Sequence, residues 1–304
     1  MSDKKTPLNI SYFTTENSEE VVIGRMDRAP SARFKEIMSS VVRHLHAIVK
    51  ETGLTIEEWE TAVDFLTRTG QTCTPQRQEF ILLSDTLGIS MLVDAINHDA
   101  SGRVTESTVL GPFHVADAPM RELGQNINLD GKGLPLLMSG RVLDADGKPI
   151  AGAMIDTWMT NEDGFYDVQQ PGLQPEFNLR GRFHSDAQGK YWFRGARPRY
   201  YPLPVDGPVG EMLLAMGRHP YRPAHIHFIV SAPGYRPLTT HAFMQGDTYL
   251  ESDAVFGVKE SLIIDFIEHD DPEAAKKAEM PNPYCTAQFD FVLTRDKAHA
   301  NASA

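Results

Sequence analysis

Apolar residues between positions 34 and 49 recur at three- and four-residue steps: Phe34, Ile37, Met38, Val41, Leu45, Ile48 and Val49. That spacing draws one apolar stripe along a helix, and Gly53 supplies a C-terminal stop. Thr55 and Glu58 stand at capping-box spacing, so a second helix is expected through Trp59, Ala62, Val63 and Leu66, stopping at Gly70. Thr74-Pro75 opens a third, longer helix through Phe80, Leu83, Leu87, Met91, Leu92 and Ile96, because proline is tolerated at the first helical position. Ahead of these helices, residues 1 to about 30 are polar and mixed, and read as a loosely ordered arm.

After about residue 115 the texture changes. Short apolar runs alternate with turn signals at Asp146-Gly147, Asn161 to Gly164, Ala187-Gln188-Gly189 and Ala232-Pro233-Gly234. Many short strands with regular punctuation predict an antiparallel β-sandwich in place of a parallel sheet. The expected fold is mainly β with α: an N-terminal arm and helical domain over 1–115, then a β-sandwich domain over 116–304.

Composition narrows the function classes. Apolar residues make up 41% of the chain and charged residues 23%, which is ordinary for a globular protein and argues against disorder. The net charge of −12 repels phosphate backbones and anionic lipid, so neither nucleic acid nor a membrane is an expected partner. No stretch approaches the ~20 apolar residues of a membrane span. The start, Met1 to Pro7, lacks the apolar core of a signal peptide. Cys73 and Cys285 are the only cysteines, too few for a disulfide framework or a thiolate zinc site, and a reducing cytoplasm fits best.

The segment Arg222-Pro223-Ala224-His225-Ile226-His227-Phe228-Ile229-Val230 carries the strongest chemical signal. Its β-branched and aromatic residues favour a strand, so His225 and His227 project from one face, close enough to share a metal ion. The bland alternative is two satisfied histidines on a half-buried strand. His44 and His46 repeat the spacing within a helical pattern, where it points them to nearly opposite faces, and they read as surface residues. For His219 a structural role is the ordinary reading. The rest of a metal shell stays open at this point. Phe228 to Pro237 contains no carboxylate, although one from elsewhere could complete a ferrous two-histidine site. Tyr166 follows the turn Asn161-Glu162-Asp163-Gly164, and Tyr201 lies in the rigid run Tyr201-Pro202-Leu203-Pro204. Either tyrosine taken alone is ordinarily core packing.

These residues also carry a resemblance. Gly164-Phe165-Tyr166, Asn178-Leu179-Arg180-Gly181, Tyr201, Gly207-Pro208, Gly217-Arg218-His219, Arg222 to Phe228 and Leu238-Thr239-Thr240 occur in the order seen in intradiol catechol dioxygenases. The helical N-terminal part is similar to that of the same family. The resemblance implies one non-haem Fe(III) per subunit, held by Tyr166, Tyr201, His225 and His227, with Tyr200 as a competitor for Tyr201. It further implies that Tyr201 leaves the metal and accepts a substrate proton, and that Arg222 stabilises developing negative charge. A homodimer formed through the N-terminal helices, with a phospholipid at the interface, is implied as well. Periodicity alone does not separate that arrangement from packing within one chain.

Several strings resemble the branch of the family that cleaves hydroxyquinol, 1,2,4-trihydroxybenzene, with O2 to 3-hydroxy-cis,cis-muconate in aromatic catabolism. They are Leu82 to Gly88, Val109 to Phe113, Tyr201 to Pro204 and Asp253 to Gly257. By that resemblance Leu82, Asp85, Val109, Leu110, Gly111, Pro112, Phe113, Leu203, Pro204 and Val255 line the substrate pocket. Leu110 departs from the aromatic expected at its position, and His241 stands where catechol enzymes commonly carry glutamine. Asp85 has a physical rationale: a carboxylate can accept a hydrogen bond from a third ring hydroxyl, and sites built to pair a hydroxyl discriminate for it. Its plain alternative is a carboxylate that caps or solvates its helix. Catechol or chlorocatechol is the alternative substrate class. A non-catalytic β-sandwich binding module and a zinc hydrolase are the alternatives of another kind.

Overall fold

The computed structural model describes residues 12–74, 77–98 and 103–296, which divide into two compact units between Thr67 and Arg68. The first unit is helical. Helix α1 (Ser18–Gly24) falls where the sequence reads as a loose arm. It forms because Ser18 is buried with its hydroxyl 3.1 Å from His46 Nδ1, while Glu19 pairs with Lys50 at 3.2 Å. His46 is therefore partly covered, and not the free surface residue its spacing suggests. Helix α2 (Ala32–Thr52) is capped by Ser31, which accepts from the Phe34 amide, and ends on Gly53 in the left-handed region, as its sequence predicts. Helix α3 (Ile56–Thr72) begins with the expected reciprocal cap: Thr55 N donates to Glu58 and Glu58 N donates to Thr55 Oγ1. It runs through Gly70 to Thr72 instead of stopping there, since one glycine costs only ~1 kcal/mol in a helix.

The second unit opens with a correction. The single long helix expected from Thr74-Pro75 is two short ones, α4 (Glu79–Thr86) and α5 (Ile89–Asn97); Pro75 lies outside the described residues. The break comes at Gly88, whose φ of +74° no ordinary helical residue adopts. These helices pack within the β-rich unit: buried Glu79 accepts from Val209 N, Arg218 donates to the Thr86 carbonyl, and Lys259 reaches Asp94 at 3.0 Å. The compact division therefore precedes the change of texture near residue 115.

The strands are β1 (Pro135–Asp144), β2 (Met154–Met159), β3 (Arg180–His184), β4 (Lys190–Ala196), β5 (Tyr201–Pro202), β6 (Tyr221–Arg222), β7 (His225–Ser231), β8 (Leu238–Met244), β9 (Ile263–Ile264), β10 (Phe266–His269), β11 (Tyr284–Gln288) and β12 (Phe291–Leu293). Helix α6 (Pro208–Ala215) lies between β5 and β6, and α7 (Pro272–Ala278) between β10 and β11. One sheet runs β10-β11-β1-β12 with β4 on β1; the other runs β3-β2-β7-β8-β9. The sandwich is mixed and not purely antiparallel, because β1 pairs parallel with β11 and β12, and β8 with β9. Between the sheets Leu136, Met138, Val142, Ile155, Phe183, Phe193, Ile226, Phe228, Val230 and Phe291 form the main core. A smaller cluster of Trp158, Tyr166, Tyr201, Leu203, Ala254 and Val255 lies outside it.

Candidate metal centre

Strand β7 divides the two clusters. Ile226, Phe228 and Val230 enter the main core, and alternation sends His225 and His227 to the opposite face, where both are also buried. The register of the sheet sets a row across that face, with Trp158 of β2 and His241 of β8 on either side of His227. Trp158 stacks on the His227 ring at 4.5 Å, nearly parallel.

Each tyrosine is aimed by its local chain. Asn161 Oδ1 accepts from the amides of Asp163 and Phe165, closing the turn before Tyr166, and Gln169 Oε1 accepts from the Tyr166 amide. Gly164 has φ +83°, and a Cβ there would lie 2.8 Å from the Tyr200 carbonyl, so the turn requires glycine. Phe113 stacks on Tyr166 with ring centres 4.6 Å apart. Tyr201 pairs with Arg222 across β5 and β6, which brings the phenol and the guanidinium to the histidine face. Tyr200 is only partly buried and packs on Tyr221 and Tyr249 instead. His219 stays in that aromatic group and accepts from the Tyr221 amide, a structural role.

The four side chains converge. Tyr166 Oη is 2.9 Å from His227 Nε2, and His225 Nε2 is 3.1 Å from His227 Nε2. The Tyr201 ring stands perpendicular to that of Tyr166 at 5.3 Å and lies 5.7 Å from that of His225. The Tyr201 hydroxyl is buried without a hydrogen-bond partner. His225 Nδ1 donates to the Pro223 carbonyl at 2.7 Å, which leaves a lone pair on Nε2. Burial first, and then the Arg222 charge, push His225 down to about 3; burial holds His227 and His241 well below the ordinary imidazole range. All three rings are therefore neutral, the form that binds metals. Burial, reinforced by Tyr201, raises Tyr166 well above the ordinary phenol range. Two imidazole nitrogens, a phenol with no hydrogen-bond partner and a second phenol beside them converge on one point. The donor set fits a metal ion, and its phenolic oxygens suit a trivalent one.

Among the described residues, His225, His227 and His241 are the group of histidine, cysteine and carboxylate side chains close enough to share a metal. His241 sits behind His227, however, with its Nε2 2.7 Å from Nδ1, on the edge of the ring away from the other donors. Among the described residues no carboxylate joins the group. Arg222 is 1% exposed and spends Nε and Nη2 on Asp253, at 3.0 and 3.2 Å, leaving Nη1 3.5 Å from His225 Nε2. Burial pulls the guanidinium down and the carboxyl up, but their mutual attraction outweighs both effects and keeps the pair ionised.

A cleft of about 640 Å3 lies beside these groups. It gathers Asp85, Val109, Leu110, Gly111 and Pro112 from the expected pocket, together with Ser84, Ser90 and His114. Gly111, at φ +75°, approaches the His227 ring so closely that a Cβ would lie 3.1 Å from Cε1. Leu82, Val109 and Phe113 pack on the cluster that contains Tyr166, Tyr201, Leu203 and Val255. Pro204 is half-buried and belongs to neither group. Burial raises Asp85 above the ordinary carboxyl range, against the hydrogen bond from Ser90 and the charge of Arg222. Sequence reasoning missed Asp253, Thr108 and Trp158 as parts of this site, and read His241 only as a marker of the branch. Register places Trp158 and His241, and loops returning to the sheet place Asp253 and Thr108; neither leaves a local signal.

With the geometry established, kinship becomes decisive. The family model described as Catechol dioxygenase N terminus matches residues 31–105, and the one described as Dioxygenase matches residues 109–295. The hydroxyquinol 1,2-dioxygenase of Rhizobium sp. (strain MTP-10005) is 57% identical over 294 residues, covering 96% of this chain and all of that one. The chain belongs to the intradiol ring-cleavage dioxygenases. This family uses non-haem iron to cleave aromatic diols with O2. The structure of hydroxyquinol 1,2-dioxygenase from Pseudomonas putida DLL-E4 is 49% identical with a TM-score of 0.86, covering 93% of this dioxygenase and 99% of that chain. Catechol 1,2-dioxygenase from Acinetobacter sp. ADP1 is more distant at 33% identity, with a TM-score of 0.79 and 94% of each chain covered. The helical N-terminal part and the sheet-rich C-terminal part expected from the sequence match these structures.

Proposed function

We propose that the chain cleaves hydroxyquinol between its adjacent hydroxyl-bearing carbons, placing both atoms of O2 in 3-hydroxy-cis,cis-muconate, the tautomer of maleylacetate. One observation carries the reading: two phenols and two neutral imidazoles meet beside a cleft that contains a buried carboxyl group, Asp85. Tyr166, Tyr201, His225 and His227 would hold Fe(III), one ion per subunit. Bound there, the ion would draw electron density from a chelated diol and open its ring carbons to O2.

The chain's own groups do the rest. Tyr201, whose buried oxygen has no other hydrogen-bond partner, would be held as a phenolate by the ion and in that form is the base for one diol proton, becoming a neutral phenol. Arg222, held by Asp253 and making only a long 3.5 Å contact from Nη1 to His225 Nε2, stabilises negative charge as it develops on the ring. Leu82, Val109, Phe113, Leu203 and Val255 exclude water, and Asp85 pairs with the third hydroxyl. Leu110, Gly111, Pro112 and Pro204 complete the pocket wall in this reading.

The N-terminal helices would pair two copies of the chain, with a phospholipid between them. Phe34, Leu45, Ile48, Trp59 and Leu66 support this, because each remains about half exposed along α2 and α3. No helix among the described residues is long and apolar enough to cross a membrane. Cys73 and Cys285 are both free, consistent with a cytoplasmic setting.

The test combines colour, iron and kinetics. The pure protein should be red-purple from phenolate-to-iron absorption, and Tyr166→Phe should bleach it and slow turnover. Initial rates on hydroxyquinol should exceed those on catechol and chlorocatechols by about tenfold or more in kcat/KM. A preference for catechol would remove the substrate assignment and leave the reaction class. An iron-free, colourless and active protein would overturn both.

A further inference from the structure

The two histidines of β7 are oriented by different kinds of partner. His225 Nδ1 meets a backbone carbonyl, that of Pro223, which can only accept; its proton is thereby fixed on Nδ1 and its lone pair on Nε2. His227 Nδ1 instead meets another imidazole, His241 Nε2, at 2.7 Å. An imidazole nitrogen can donate or accept, so this contact alone leaves the His227 tautomer undecided. The chain continues beyond it. His241 Nδ1 lies 2.8 Å from Thr108 Oγ1, and the Thr108 hydroxyl donates to the Val109 carbonyl at 3.4 Å. His241 is fully buried and Thr108 is 4% exposed, so water does not compete along the path.

We propose that His241 and Thr108 are positioning residues: a directed hydrogen-bond relay that sets the tautomer of His227 and turns its Nε2 lone pair toward the metal. The inference rests on the reading of His227 as a ligand. Followed from that atom, every proton has one place. With Nε2 free to bind, His227 carries its proton on Nδ1 and donates to His241 Nε2. His241 then carries its own proton on Nδ1 and donates to Thr108 Oγ1, whose hydroxyl in turn donates to the Val109 carbonyl. The opposite order starts with Thr108 donating to His241 and ends with a proton on His227 Nε2, facing Tyr166 Oη. That order cannot bind an ion at His227. The Val109 carbonyl, an acceptor only, biases the relay toward the productive direction.

The same geometry explains why His241 is not a third histidine ligand. Its Nε2 is committed to His227 and its Nδ1 to Thr108, so neither nitrogen is free. The relay also ties the ligand to the cleft, since Thr108, Val109 and Gly111 belong to the cleft wall and Gly111 lies against the His227 ring.

The experiment compares the parent with His241→Leu, His241→Gln and Thr108→Val. Three readouts are taken: iron affinity by chelator competition, the position of the phenolate-to-iron band, and imidazole 15N shifts of the ion-free protein. His241→Leu should lower iron affinity by about 10–100-fold, the range seen when a ligand histidine loses its outer partner. His241→Gln keeps an amide oxygen to accept from His227 Nδ1 and should recover most of that loss. Thr108→Val should fall between them and shift ion-free His227 toward the Nε2–H tautomer. Unchanged affinity and band position in His241→Leu would overturn the relay. So would an unaltered His227 tautomer in Thr108→Val, which decides the matter even if the leucine variant does not fold. A parent protein without iron would instead overturn the reading of the centre itself.

Discussion

On strand β7 the histidine pair is as buried as the apolar residues of the other face, and chemically opposite to them. Ile226, Phe228 and Val230 on one side need only volume, and the main core supplies it. His225 and His227 on the other side carry polar atoms that volume cannot satisfy, and each is met by a specific partner: a carbonyl, an imidazole, a phenol. Burial alone therefore does not mark a site. The distinguishing feature is the convergence of two imidazole nitrogens beside a Tyr201 hydroxyl that is buried without a hydrogen-bond partner.

The sharpest way to break this contrast is to cut each face in turn. His227→Ala should abolish iron binding and colour while the ion-free protein stays folded. Phe228→Ala should cost about 3–5 kcal/mol in denaturant unfolding yet leave iron bound to the fraction that folds. If both substitutions lower stability alike and neither touches iron, the faces do not differ as argued.

A smaller effect is expected behind Arg222. Asp253→Asn removes the charge that balances a buried guanidinium and should lose about 1.5–3 kcal/mol of stability. Because Asp253 aims the guanidinium whose Nη1 reaches the histidine face, kcat should drop more than KM rises. An unchanged kcat with the same stability loss would confine the pair to a structural role.

A test of another kind is pH. His225 has an ordinary value of 6.5 and is pushed down to about 3 in the fold, so folding favours its neutral form. Its contribution to stability is complete above 6.5 and is lost as pH falls toward 3, because the unfolded chain takes up the proton first. Urea midpoints of the ion-free protein should decline between about pH 6.5 and 4, and His225→Gln should make that decline shallower, with His227 and His241 supplying the rest. A flat profile in the parent would show that the histidine face carries no such cost.

What could be read from the chain follows the range of the interactions involved. The Thr55–Glu58 cap, the left-handed Gly53 and the turns before Tyr166 and after Asp144 are local, made by residues a few positions apart. The spacing of His225 and His227 belongs to the same class, since strand alternation needs no knowledge of the rest of the fold. The family resemblance added the two tyrosines, which local physics left as ordinary core residues. Where local rules failed, a tertiary contact had intervened: α1 forms against α2 through Ser18 and Glu19, and the long helix breaks at Gly88 to set α4 and α5.

The sequence by itself determined a helical start, a β-rich remainder and a histidine pair able to face one ion. Only the tertiary structure decided that Thr108 and His241, separated by 133 positions, meet behind His227, and that Asp253 closes on Arg222 from 31 positions away. The physical reason is range: Thr108 and Asp253 lie in loops, and only the folding of distant segments brings them against His241 of β8 and Arg222 of β6. A strand's own alternation sets which face a residue takes, but its neighbour across the sheet depends on how distant segments align, and packing of the whole core selects that alignment.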